Sequence, residues 1–147
     1  MIRPLVLGVV RRGDDLLVLE GHDAVKGQTF FRPLGGGIEF GELSEQALHR
    51  EFREELAVQL TAVAPCGVLE NVFEFEGRPG HEIVVLYMAE IADPSFYERA
   101  DPGPVLDQGT PVRWLPLAEV VAGRAVLYPT GLVDLLLTPE EQQRLTG

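Results

Sequence analysis

Three glutamates, Glu51, Glu54 and Glu55, stand within five residues of one another, and three consecutive glycines, Gly35, Gly36 and Gly37, precede them. On a helix, residues three and four apart share a face, so the acids would stand together. Like charges so spaced cost about 0.2–0.5 kcal/mol per pair. Beside an apolar stripe, where water is scarce, they either take up protons or hold a cation. Hard carboxylate oxygens suit Mg²⁺ or Mn²⁺. Glycines take backbone angles closed to other residues and let a ligand approach the main chain. The bland alternative is a solvated helix face with Arg50 paired to Glu54, and a flexible glycine turn. Glycines, then Glu42, then the glutamate triplet is a more specific arrangement than either half alone.

The elements that must position these residues follow from periodicity and turn chemistry. Residues 2–10 read as a buried strand, residues 11–15 as a turn and residues 16–20 as the returning strand of a hairpin. Residues 21–28 read as a loop and 29–32 as a short extended piece before Pro33. The glycine stretch, 35–41, reads as a loop by composition. Ser44 is the expected N-cap, with Leu43 ahead of it as part of a hydrophobic staple. The helix runs to about Leu56, with Leu48, Phe52 and Leu56 on its core stripe and His49, Arg50 and Arg53 pointing away. Residues 59–76 and 82–91 read as two long strands joined by a turn at 77–80. Residues 92–111 read as irregular, 112–115 as a strand, and 116–122 and 130–137 as short helices before a polar end. The whole of residues 1–147 reads as a single mixed α/β domain.

Composition narrows the chemistry. The formal net charge of −11, from 12 Lys plus Arg against 23 Asp plus Glu, argues against bare electrostatic binding to nucleic acid or to an anionic membrane. An anionic substrate would need a divalent cation between it and the protein. The single cysteine, Cys66, fits a reducing, cytoplasmic setting. The apolar run near the N-terminus is too short for a membrane span.

Residues 36–58 read Gly36, five residues, Glu42, seven residues, then Arg50-Glu51-Phe52-Arg53-Glu54-Glu55-Leu56-Ala57-Val58. This resembles the signature of the Nudix hydrolases, matching six of its seven fixed residues. From average residue usage, such a match recurs by chance on the order of once in ten million starting positions. Ala57 stands where the signature has Gly, and Phe52 where it has an aliphatic residue. The resemblance implies an α/β/α sandwich around a mixed sheet. It implies hydrolysis of a nucleoside diphosphate linked to another group, with Mg²⁺ or Mn²⁺ as cofactor. Glu51, Glu54 and Glu55 would be metal ligands, with the carbonyl of Gly35 or Gly36 adding another. Glu42 would act as a ligand through water or by closing the site. Arg50 would orient Glu51, the general-base candidate. Asp107, in the loop after the second long strand, is the alternative base. Gly36, Gly37 and Arg32 would meet substrate phosphate. Phe30, Phe31 and Tyr87 are candidates to stack a base, weighed against ordinary core roles.

The expected partner is a small nucleotide, with no long nucleic acid and no membrane; a homodimer is compatible with the family. Three other functions stay open. An RNA 5′-end decapping or pyrophosphohydrolase activity has the right chemistry but the wrong overall charge. An isoprenoid-diphosphate isomerase would need a cysteine ahead of the signature, and Cys66 lies after it. A non-catalytic nucleotide-binding module would commonly lack signature glutamates, and here all four are present.

Overall fold

The apolar run near the N-terminus forms strand β1, Arg3–Val9. In the computed structural model, which describes residues 1–106 and 108–146, its side chains alternate between two cores. Val6 packs with Leu48 and Phe52, whereas Leu5, Leu7 and Val9 pack with Leu86, Leu117 and Leu132. That alternation is the two-residue period of a strand buried on both faces.

Seven further strands complete the sheet: β2 (Arg11–Arg12), β3 (Asp15–Asp23), β4 (Gln28–Gly37), β5 (Leu60–Phe75), β6 (Arg78–Ile91), β7 (Gly103–Pro104) and β8 (Pro111–Pro116). Their order is β5-β6-β1-β4-β3-β8-β7, with β2 paired to β3. β1 runs parallel to β6 and antiparallel to β4, so the sheet is mixed. Helix α1, Ser44–Leu56, covers one face. The other face meets α2 (Leu117–Val121) and α3 (Leu132–Leu136), with Leu145 of α4 (Pro139–Thr146) packed alongside. The result is the α/β/α sandwich around a mixed sheet that the resemblance implied. Among the described residues, no helix is long and apolar enough to cross a membrane.

Several local expectations are corrected. The first hairpin joins β2 to β3, because β1 is taken by β4 and β6. The expected loop at 21–28 shrinks, since β3 runs to Asp23 and β4 starts at Gln28. The three glycines are the end of β4 and not a loop: Gly35, Gly36 and Gly37 pair with Leu7, Val6 and Leu5. Glycine composition signals a loop only where no neighbouring strand offers its backbone, and β1 does. The long hairpin turns at Glu76–Gly77, with Phe75 paired to Arg78, so Pro79 and Gly80 belong to β6. The excursion at 92–111 holds a 3₁₀ turn, Pro94–Glu98, besides β7.

At the start of α1, Leu43 and not Ser44 is the N-cap residue, and its N–H donates to Gln46 Oε1 at 2.9 Å. Leu43 is exposed and forms no staple. Ser44 Oγ instead hydrogen-bonds the Tyr87 hydroxyl on β6 at 2.7 Å. Leu48 and Phe52 are fully buried. Each contributes roughly 1.5–3 kcal/mol on burial, well above the tenths lost to each crowded glutamate pair. Packing therefore fixes which face the acids occupy.

The helix ends at Ala57, which adopts the left-handed conformation (φ 55°, ψ 38°) while its N–H caps the carbonyl of Arg53. That conformation costs an L-residue roughly 1–2 kcal/mol and explains why the related signature has Gly there. Ala57→Gly should stabilise the fold by about 0.5–1 kcal/mol after allowing for the greater freedom of glycine in the unfolded chain. Chemical denaturation checks this, and an unchanged or lowered midpoint would contradict it.

Candidate active site

The end of β4 runs beneath the acidic face of α1. Gly35 has φ +149°, and a Cβ there would lie 2.0 Å from the carbonyl oxygen of Val6. At Gly36 a Cβ would lie 2.5 Å from the carboxylate carbon of Glu51. The glycine run thus brings bare backbone against the sheet on one side and a helix carboxylate on the other. Gly35, Gly36, Gly37, Glu51, Glu54 and Glu55 line one cavity of about 340 Å³, together with Arg3 and Arg32. Glu55 is buried at 7% exposure, whereas the Glu54 side chain is 53% exposed. The acids therefore form a gradient from the core to the cavity mouth.

Arg50 organises this group. Its Nε and Nη2 donate to the two oxygens of Glu42 at 2.8 and 2.9 Å. Its Nη1 donates to Glu51 Oε1 at 2.9 Å and to Glu54 Oε2 at 3.4 Å, and Nη2 donates to the carbonyl of Gly37 at 3.0 Å. Arg50 thus reaches a neighbouring segment as well as the two acids that the sequence raised for it, Glu51 and Glu54: its planar fork finds five acceptors. The hydrogen bond from Arg50 holds the Glu42 carboxyl down at about 2, and Glu42 in turn raises the guanidinium above its ordinary value. Glu42 also accepts from the Glu39 N–H at 3.2 Å. It braces Arg50 and does not line the cavity.

Arg32 stands where expected, after Phe31 on β4, and burial pushes its guanidinium down. The nearby Glu82 and then Glu55 and Glu51 oppose that shift, and Arg3 adds to it. Asp107, the alternative base, lies outside the described residues. Gln108, in the same loop as the alternative base, lines the cavity, as do Arg3 and Thr110, which carry no signal in the sequence. Arg3 reaches it only because β1 pairs with both β4 and β6. Sequence distance hides such neighbours.

The donor set fits a hard divalent cation: three carboxylates and a glycine main chain share one cavity. Among the described residues, no three His, Cys, Asp or Glu side chains are already gathered as a ligand shell. The fit rests on donor chemistry and on the room that Gly36 leaves under Glu51. Cys66 packs in the core on the sheet face opposite α1, where burial pushes its thiol up. It takes no part in this site, which removes the support an isomerase reading would need. Phe31 also packs toward that opposite core, and Tyr87 is spent on Ser44.

A family model described as the NUDIX domain matches residues 1–135. The chain is 42% identical over 153 aligned positions to the NAD-capped RNA hydrolase NudC of Pasteurella multocida (strain Pm70), covering 99% of this chain and 52% of that protein. It is 29% identical over 111 positions to the NAD-capped RNA hydrolase NudC of Pectobacterium carotovorum subsp. carotovorum (strain PC1), covering 74% of this chain and 38% of that one. The chain thus spans about half or less of these curated relatives. Among solved structures, a NUDIX hydrolase from Nitrosomonas europaea superposes with a TM-score of 0.64 at 18% identity, over 98% of this chain and 90% of that chain. A MutT NUDIX hydrolase from Burkholderia pseudomallei does so with 0.60 at 18% identity, over 99% and 96%. These likenesses show the fold.

A depressed carboxyl contributes stability that is complete above its unfolded pKa and is lost as pH falls through the folded one. For Glu42 that window runs from the ordinary 4.5 down to about 2. Glu42→Gln should therefore be less stable than the wild type at pH 7, and the difference should shrink across that window. Denaturation as a function of pH checks it; a difference independent of pH would count against the Arg50–Glu42 bond as its origin.

Proposed function

This chain belongs to the NUDIX family, and on that premise we propose that it is a divalent-cation-dependent pyrophosphohydrolase. Its substrate is a small nucleotide derivative, a nucleoside diphosphate joined to another group, and the bond cleaved is a phosphoanhydride. One observation carries the reading: Glu51, Glu54 and Glu55 face a single cavity whose other wall is the glycine end of β4.

Glu51, Glu54 and Glu55, with the carbonyl of Gly35 or Gly36, would hold Mg²⁺ or Mn²⁺. Such an ion, when bound, neutralises the diphosphate, acidifies a water and stabilises charge developing at phosphorus. The rest of the work falls to the chain itself. Arg50 holds Glu51 over Gly36 by the 2.9 Å hydrogen bond, which leaves Glu51 oriented to take a proton from the attacking water. Asp107 is the other candidate for that proton. Glu42 keeps the Arg50 fork in place through two hydrogen bonds. Arg32, half-buried on the cavity wall, and the backbone of Gly36 and Gly37 meet the phosphates. The lone Cys66 supports a cytoplasmic setting.

A second reading is hydrolysis at the 5′ end of RNA, favoured by the 42% identity to a NAD-capped RNA hydrolase. The net charge of −11 speaks against a long RNA partner. The two readings share the site and differ in what lies beyond the cleaved bond.

The test is a screen with Mg²⁺ or Mn²⁺ against nucleoside di- and triphosphates, nucleotide sugars, dinucleoside polyphosphates and NAD-capped RNA. Release of phosphate, pyrophosphate or a nucleoside monophosphate from a small substrate is expected. Preference for capped RNA over every small nucleotide would favour the second reading. Glu54→Gln and Glu55→Gln should each lower kcat about a hundredfold or more with the circular dichroism spectrum unchanged. Full activity in either variant would overturn the assignment of these residues.

A further inference from the structure

A second cavity, of about 380 Å³, opens beside the first and shares Arg3, Leu19, Arg32, Gln108 and Thr110 with it. Much of its remaining wall comes from two hairpins. The β3–β4 hairpin supplies Asp23, Lys26 and Phe30, and β5 supplies Phe73, Glu74 and Phe75. Within each hairpin a ring lies on bare backbone of the facing strand. A Cβ on Gly21 would lie 2.6 Å from the Phe30 ring, and one on Gly80 would lie 2.4 Å from the Phe73 ring. Between the hairpins there is no such ladder, because β1 stands between β4 and β6 in the sheet. Side chains must therefore set how far apart the two tips sit.

Asp23 makes that joint, at 2% exposure. Its Oδ1 accepts the N–H groups of Val25 and Lys26 at 2.9 and 3.0 Å, which closes its own loop. Its Oδ2 crosses to the other hairpin and accepts the N–H of Glu76 at 2.9 Å. Lys26 Nζ adds a second tie, to the carbonyl of Glu74 at 2.7 Å. Phe30 meets Phe75 edge-on, with centroids 5.8 Å apart. The turn that Asp23 grips is a demanding one. Glu76 and Gly77 have φ of +52° and +80°, where asparagine or glycine is the usual first residue. A buried carboxylate is tolerated only when its oxygens are satisfied. The three N–H groups do this, that of Glu76 foremost, and they hold the Asp23 carboxyl below its ordinary value.

We propose that Asp23 is a positioning residue of the candidate site: it latches the tips of the two hairpins together and so sets the width of the second cavity. The chemistry at α1 does not touch Asp23, so the latch governs how tightly the ligand is held beyond the cleaved bond. The inference rests on the hydrolase reading for what the cavity holds, and on the hydrogen bonds alone for the latch. The two tasks of the carboxylate fall on different atoms, which makes them separable. Asp23→Asn keeps an oxygen for the Val25 and Lys26 N–H groups and sets an amide NH₂ against the N–H of Glu76, donor against donor.

Three measurements test this. Amide hydrogen exchange reads the latch directly: the Glu76 N–H, at an exposed hairpin tip, should exchange at least about tenfold more slowly in the wild type than in Asp23→Asn, and more slowly than that of Gly77 beside it. Kinetics on the substrate turned over fastest in the screen above read the positioning. Asp23→Asn should raise KM about fivefold or more and leave kcat within about twofold. Calorimetry with ADP under a chelator reads the same wall without turnover, and affinity should fall about fivefold or more. Lys26→Met, at an exposed position, removes the second tie alone and should move KM and ADP affinity the same way by about twofold. It decides the matter, with the wild-type exchange of the Glu76 amide, if Asp23→Asn does not fold. A Glu76 amide as fast as that of Gly77 in the wild type, or KM and ADP affinity untouched by the decisive variant, would overturn the inference. So would a loss confined to kcat. Turnover with such indifference leaves the hydrolase reading standing and removes this one. A slowed Glu76 amide and latch-dependent ADP affinity without turnover of any substrate would do the reverse.

Discussion

The site depends on one guanidinium. Arg50 donates to Glu42, Glu51, Glu54 and the carbonyl of Gly37, so a single side chain joins three carboxylates to the end of β4. Without it, the acidic face of α1 would confront Glu42 and a row of carbonyl dipoles with no positive charge between them. The depressed Glu42 carboxyl and the raised Arg50 guanidinium are the two sides of that bond. Because the fork is planar and its acceptors are placed on three segments, lysine could not replace it. The bond has a geometric consequence too: Glu51 is held at the one place where a glycine leaves room for its carboxylate.

The fold brings these groups together through β1 and β4. β4 pairs with β3 up to Pro33 and with β1 from Leu34 onward, and the glycine run lies in the second half. Both cavities flank this strand, with Arg32 at the change of partner. α1 is pressed onto the same region by Leu48 and Phe52, whose burial outweighs the repulsion among its glutamates. Hydrophobic packing thus sets the position of a charged surface, and the charges then choose what binds there.

The acidic cluster was legible because helical spacing is short-range: Glu51, Glu54 and Glu55 share a face by geometry alone. The mixed α/β class was legible from the apolar strand runs and the helical pattern, and the sandwich only from the resemblance carried by residues 36–58. What the sequence concealed came from strand pairing. The glycines looked like a loop until β1 supplied partners. Helical position brings Arg50 to Glu54 but does not reveal that Glu42 folds back to meet the same guanidinium. Arg3, Phe73 and the two glycines under the aromatic rings became visible only through cross-strand register. Ala57 is the intermediate case. Its departure from the signature was plain, and its left-handed backbone gives the physical meaning.

The central claim is that the carboxylates of α1 seat a divalent cation. Calorimetric titration of the folded protein with Mn²⁺, in the wild type and in Glu51→Gln, tests it most directly. Saturable uptake in the wild type, weakened at least about tenfold in the variant, is the expected result. No uptake by the wild type, or uptake indifferent to Glu51→Gln, would contradict it.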